Sequence, residues 1–365
     1  MKKTNVRASA VIGLLLVTGQ FISCDKKVIT TNENRANTIE NTIENTKITE
    51  TKTEVFRQPV VFITGIDKET NKFYKKAREY FLNKKYEVVD YTFSLQEVFS
   101  WLNNNYDGNT YGEIHIVSHG NPWKGLSMET LINGERVTTE NVRRAITMGK
   151  LPTLKEGISK NTKVVFHSCG LGENADLMKT LKDAFVGKEV PSVLASPYYT
   201  IFGGEFSEHY LAKPYYVFHP YANSPGKIDL SKEISRKYRE EKDIDWYDAL
   251  NNEQERYVGD PYTFRFSIPV AWEFDFTNSD EEIPTFRIPE EIMDWIEQDE
   301  KLVKVLSSFN IPIEKFRWRS TIKGNKLIIK GKTTVLCVLK PIIKPYGDLQ
   351  HVEPDINNLR LYAIK

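Results

Sequence analysis

His119 and Cys169 are the side chains of this 365-residue chain whose types and settings best suit nucleophilic chemistry. His119 comes near the end of EIHIVSHG, Glu113 to Gly120, and Cys169 near the end of KVVFHSCG, Lys163 to Gly170. Each run is a strand-length stretch of β-branched and apolar residues that stops at a small residue, a reactive side chain and a glycine. In an open parallel sheet the loops diverge at the carboxyl ends of the strands and leave a crevice where ligands bind. An imidazole delivered to that edge beside a thiol supplies the base the thiol needs, because a free cysteine is only a few per cent ionised at neutral pH. Gly120 and Gly170 lack a Cβ, which lets a carbonyl substrate come close to backbone N–H groups facing a developing oxyanion.

Other chemistry fits the same residues less well. His115 and His119 are four apart, a metal-pair spacing on a helix, but Ile114, Ile116 and Val117 favour strand. Four residues of strand span about 13 Å, too far for one ion, so neither a metal nor a cofactor is expected. His167 is a rival base two residues from Cys169. On a strand the two share a face about 7 Å apart with parallel side chains, a poor geometry for proton transfer. His119 is therefore the preferred base, and His167 reads as a packed or hydrogen-bonded strand histidine. Ser118 lacks the Gly-x-Ser-x-Gly elbow of an α/β serine hydrolase, and His209, His219 and His351 sit in no motif. The plain alternative for Cys169 is a buried structural thiol.

The elements around the pair alternate between strand and helix. Val60 to Thr64 reads as a buried strand, followed by a turn at Gly65 and a helix with Phe73, Ala77, Tyr80 and Phe81 on one face. Lys85 to Tyr91 is a second strand. Ser94 and Glu97 form a capping box for a helix whose stripe is Leu95, Val98, Phe99 and Leu102. The strand bearing His119 follows, then a hairpin signal at Asn133-Gly134 and a helix capped by Thr138 or Thr139. After the strand bearing Cys169 come a helix with Leu177, Leu181, Ala184 and Phe185, a strand at Ser192 to Ser196, and an apolar run at Tyr215 to Phe218. This order predicts an α/β fold with a doubly wound, mostly parallel sheet.

The pair SHG and SCGLG, each behind a hydrophobic strand, resembles the caspase-like cysteine peptidase superfamily, in particular its bacterial CHAT-type branch. The resemblance covers roughly Val60 to Pro220. It implies a catalytic dyad of His119 and Cys169, an oxyanion site from the backbone N–H groups of Gly120 and Cys169, and a protein or peptide substrate. It also points to the loop after the first strand for the specificity pocket, where Asp67 would favour a Lys or Arg side chain; Glu173 just after Cys169 and Asp176 in the following helix are unranked alternatives. A fold that keeps this architecture without turnover, acting as a binding or interaction module, is the alternative.

The ends of the chain carry other signals. Lys2, Lys3 and Arg7 precede an apolar run, Ala10 to Val17, of signal-peptide length and too short to span a bilayer. The following Phe-Ile-Ser-Cys resembles the lipobox of bacterial lipoproteins, with Phe21 where Leu is usual, which implies a lipidated Cys24 and a bacterial cell envelope location at the outer membrane. Residues 1–24 are thus expected to be a leader and 25–56 a disordered tether of Asn, Thr, Glu and Lys. The domain expected to hold the dyad is 57–230, followed by a C-terminal α+β region at 231–365 with a binding surface for an unknown partner as its expected role. In that region the strands are expected to break at Pro269 and to turn at Gly324-Asn325 and again at Gly331. Lys plus Arg number 50 against 49 Asp plus Glu, so charge argues for neither nucleic acid nor membrane contact beyond the lipid anchor. The three cysteines, Cys24, Cys169 and Cys337, have unrelated contexts and do not suggest a disulfide framework.

Overall fold

The computed structural model describes residues 55–204, 208–221, 225–257, 259–276, 282–342 and 353–365. The expected leader, Cys24, most of the tether and His351 lie outside the described residues. The chain opens with β1 (Val60–Ile63), α1 (Lys72–Asn83), β2 (Glu87–Val89), α2 (Leu95–Asn104) and β3 (Glu113–Val117). A short antiparallel pair follows, β4 (Gly120–Asn121) and β5 (Gly125–Leu126), then α3 (Thr139–Thr147), β6 (Lys163–His167), α4 (Ala175–Ala184) and β7 (Ser192–Ala195). Helix starts follow local chemistry. The Ser94 hydroxyl accepts from Glu97 N–H while the Glu97 carboxylate accepts from Ser94 N–H, the expected capping box, and Thr138 is the cap of α3.

The first sheet has six strands in the order β13-β7-β6-β3-β1-β2, where β13 (Ala363–Ile364) is the short C-terminal strand. All its pairings are parallel except β13 with β7. The protein is therefore a mixed α/β protein with a mostly parallel sheet, as the alternating pattern predicted. Alternation along the strands sorts the core. Ile114, Ile116, Val164 and Phe166 join α2, α3 and α4 residues in one cluster, whereas Val61, Ile63 and Val117 pack with Tyr74, Ala77 and Phe81 of α1 on the opposite face.

The second sheet is built from β8 (Tyr199–Phe202), β9 (His209–His219), β10 (Tyr262–Asp275), β11 (Arg317–Lys323) and β12 (Lys326–Pro341). It takes strands from both sides of residue 231, because β9 pairs antiparallel with β12 from Thr334↔His219 to Pro341↔Ala212. One side carries α5 (Lys227–Lys237) and α6 (Trp246–Asn251) against Tyr215, Val217, Leu336 and Val338. Residues of α7 (Pro289–Glu297) and α8 (Glu300–Phe309) join a second cluster with Tyr210, Tyr216, Ile329 and Val335.

Two expected breaks in this region are absent. β10 runs unbroken through Pro269, which pairs with Lys332; β10 is an edge strand, where a missing N–H costs little. β12 also runs straight through Gly331 instead of turning there. The glycine is required by packing, because a Cβ at that position would enter the Trp318 ring. The expected turn at Gly324-Asn325 joins β11 to β12. Around Asn133-Gly134 the chain does fold back, with Thr130 N–H donating to Glu135 O at 2.7 Å and Asn133 at φ 56°, but only isolated bridges form there.

Candidate active site

β3 and β6 are adjacent, parallel and in register, with His115 opposite Val165 and Val117 opposite His167. Two residues further on each chain stand His119 and Cys169. The ladder continues past the strand ends, since Ser118 N–H donates to His167 O at 3.3 Å. Strand alternation carries His115, Val117 and His167 to one face, and His119 and Cys169 follow in the loops beyond the strand ends. The hydrogen-bonded pair His115 Nδ1 and His167 Nε2, 2.9 Å apart, marks that common face. The loops beyond interlock: a Cβ on Gly120 would clash with Ser168 Oγ, and Gly170, at φ +67°, lies under Pro122.

His119 is half-buried and held by α1. Its ring stacks on Phe73 at 4.3 Å and meets Tyr74 edge-on at 4.9 Å. Its backbone N–H donates to Tyr74 OH at 3.0 Å, and that hydroxyl donates to Asp67 Oδ1 at 3.3 Å. Burial lowers the imidazole pKa below its usual value; the Asp67 charge works against that shift and the Arg136 charge adds to it. The side chain is therefore neutral and able to accept a proton at pH 7.

Cys169 is nearly covered, with 9 % of its surface exposed, and packs in the cluster with Tyr199, Tyr210, Tyr216 and Cys337. Its Sγ–H points to Thr200 O at 3.8 Å. Burial pushes the thiol up to about 12, so at pH 7 roughly one molecule in 10⁵ is ionised. Among the described residues no hydrogen bond joins the His119 ring to this sulfur. The two expected catalytic residues thus follow adjacent strands at one sheet edge, while the thiol rests protonated.

A loop packs against Gly170, next in the chain to the thiol. Asn121 Oδ1 accepts from Trp123 and Lys124 N–H, Asn174 Nδ2 donates to Pro122 O at 3.2 Å, and Trp123 Nε1–H donates to Phe309 O at 2.9 Å. The Trp123 ring packs edge-on against Tyr216 at 4.9 Å. Beside this loop opens a crevice of about 780 Å³, walled by Trp123, Tyr216, Phe218 and Tyr238, with Glu173 and Asp176 on the rim. It lies at the carboxyl edge of the parallel strands, as the topology requires.

Asp67 is on the His119 side. It accepts from Asn71 Nδ2 at 3.1 Å, Tyr74 OH at 3.3 Å and Ser127 Oγ at 3.4 Å. Sequence reasoning missed two features here. The latch from Trp123 to Phe309 spans 186 residues and leaves no local signal. The other is a buried polar row: Glu113 Oε2 lies 3.1 Å from His115 Nε2, and His115 bonds His167. Because an ionised carboxylate only accepts, His115 Nε2 donates to Glu113, and the direction of the His115–His167 bond follows the tautomer of the pair. His167 is thereby the hydrogen-bonded strand histidine expected.

Comparison of the chain with protein-family models, with curated proteins and with solved structures gave no match. Among the described residues, no group of three or more His, Cys, Asp or Glu side chains is placed to hold a metal ion. Among the same residues, no helix is long and apolar enough to cross a membrane.

Proposed function

We propose that this chain is a caspase-like, doubly wound cysteine endopeptidase, latent as it stands, with His119 as base and Cys169 as nucleophile. The observation that carries the proposal is that β3 and β6 are adjacent, parallel and in register, so His119 and Cys169 each follow two residues beyond a paired strand end at one sheet edge. Within the same proposal, a lipid on Cys24 holds the protein at a bacterial cell envelope.

In the proposed reaction His119 takes the Sγ proton and the thiolate attacks the peptide carbonyl carbon. The N–H groups of Gly120 and Cys169 receive the oxyanion, following the resemblance. His119 then protonates the departing amine as the C–N bond breaks and a thioester forms. Water, losing a proton to His119, attacks the thioester, which releases the acid and restores the thiol. A thiol held near a pKa of 12 is the wrong starting point for this sequence. The loop at 120–124 must therefore shift, admitting water and bringing the imidazole to the sulfur before turnover.

A second reading, a binding module of the same fold without turnover, is favoured by the protonated, covered thiol. Peptide-library cleavage separates the two. The endopeptidase reading expects cleavage by the wild type that both Cys169→Ala and His119→Ala abolish while folding is retained. A chain that never cleaves, even with the loop loosened by Trp123→Ala, is the binding module.

A further inference from the structure

The crevice beside the 120–124 loop has a wall that suits a cation. Trp123, Tyr216, Phe218 and Tyr238 present aromatic rings to a space of about 780 Å³, and the faces of such rings attract ammonium and guanidinium groups. The chain already places one cation there: Lys237 Nζ lies 4.8 Å from the Phe218 centroid and 5.2 Å from that of Tyr238, and donates to Tyr216 O at 3.4 Å.

Glu173, four residues beyond Cys169, stands on the rim of the same space. Its carboxylate has no hydrogen-bond or ion-pair partner among the described residues. The carboxylate and the aromatic rings line one space, and burial pushes the carboxyl above its usual range. Negative charge beside the start of α4 is favourable in its own right, but that accounts for the residue type and not for its place on this crevice. Asp67 contrasts with it, since three side chains already donate to that carboxylate.

We propose that this crevice receives the Lys or Arg side chain of a peptide, with Glu173 as the specificity-determining carboxylate and the Trp123–Tyr216–Tyr238 rings as the aromatic wall. As a statement about cleavage it rests on the peptidase reading; as a statement about binding it does not.

The test uses two otherwise identical fluorescent peptides, one with arginine at its centre and one with citrulline, the neutral near-isostere. Their binding to the full chain carrying Cys169→Ala is followed by anisotropy. The arginine peptide is expected to bind about tenfold tighter or better, as for a charge-assisted hydrogen bond in a partly dry site. Adding Glu173→Gln, an isosteric change at an exposed residue, should bring the two peptides to within about twofold of each other, with an unchanged melting temperature as the folding control. Equal binding of both peptides before that change, or a preference that Asp67→Asn removes and Glu173→Gln spares, overturns the proposal. The wild type then separates the two claims. Arginine-selective binding without hydrolysis leaves this inference standing and sinks the peptidase reading. Hydrolysis indifferent to basic residues does the reverse.

Discussion

The latch from Trp123 to Phe309 makes a quantitative prediction about how the Cys169 thiol reacts. Moving a cysteine from its ordinary value of 9.0 to about 12 lowers the thiolate population at pH 7.5 by about 10³. The more basic thiolate is intrinsically the better nucleophile, and with a Brønsted coefficient of about 0.4–0.5 it regains a factor of roughly 15–30. The net expectation for wild-type Cys169 is alkylation by iodoacetamide some 30–60-fold slower than a free cysteine, before any steric screening. Trp123→Ala removes both the Nε1–H bond to Phe309 O and the ring contact with Tyr216. It should raise the Cys169 rate by about tenfold or more, as water reaches the sulfur. Trp123→Phe, which keeps most of the packing and loses only the donor, should fall between the two. Timed alkylation read by peptide mass spectrometry distinguishes Cys169 from Cys337, which is fully buried and should stay unlabelled in all three proteins. Wild-type Cys169 reacting as fast as free cysteine, or a Trp123→Ala rate equal to wild type, would refute the latch.

Two further predictions concern the scaffold. His209 is 3 % exposed, stacks on Phe202 at 4.4 Å, and faces His167, Tyr80 and the Lys84–Glu353 pair; burial lowers its pKa to about 3. Between that value and the ordinary 6.5 the unfolded chain binds more protons than the folded one, so stability falls as pH falls, by about 2 kcal/mol from pH 7 to pH 5 for this residue. His209→Phe should remove about that much of the pH dependence of the urea midpoint, and an unchanged slope would contradict the assignment. Gly331→Ala should destabilise the second sheet by about 1–3 kcal/mol in urea unfolding, because the new methyl meets the Trp318 ring inside a continuous strand; a neutral result would mean that the ring moves aside freely.

Much of the scaffold was legible because its signals are local. The apolar stripes of α1 and α2, the Ser94–Glu97 box and the strand runs ending at His119 and Cys169 are written within a few residues of each other. The two long strands of the second sheet were harder to read. A proline normally ends a strand and a glycine normally turns one, yet Pro269 has a free edge beside it and Gly331 has an indole above it. Both facts belong to neighbours distant in the chain. Asp67 was legible as a carboxylate in the expected loop, but its hydrogen bonds to Tyr74 and Ser127 were not.

By itself, then, the amino-acid order determined the strands of the parallel sheet and that an imidazole follows one of them and a thiol another, since strand runs and their alternation are short-range properties. Tertiary structure alone decided whether that thiol is charged. Its ionisation depends on the water and dipoles around the sulfur, and those are set by Thr200, the tyrosines of the second sheet and a tryptophan tied to Phe309, residues that meet Cys169 only when the two sheets close on each other.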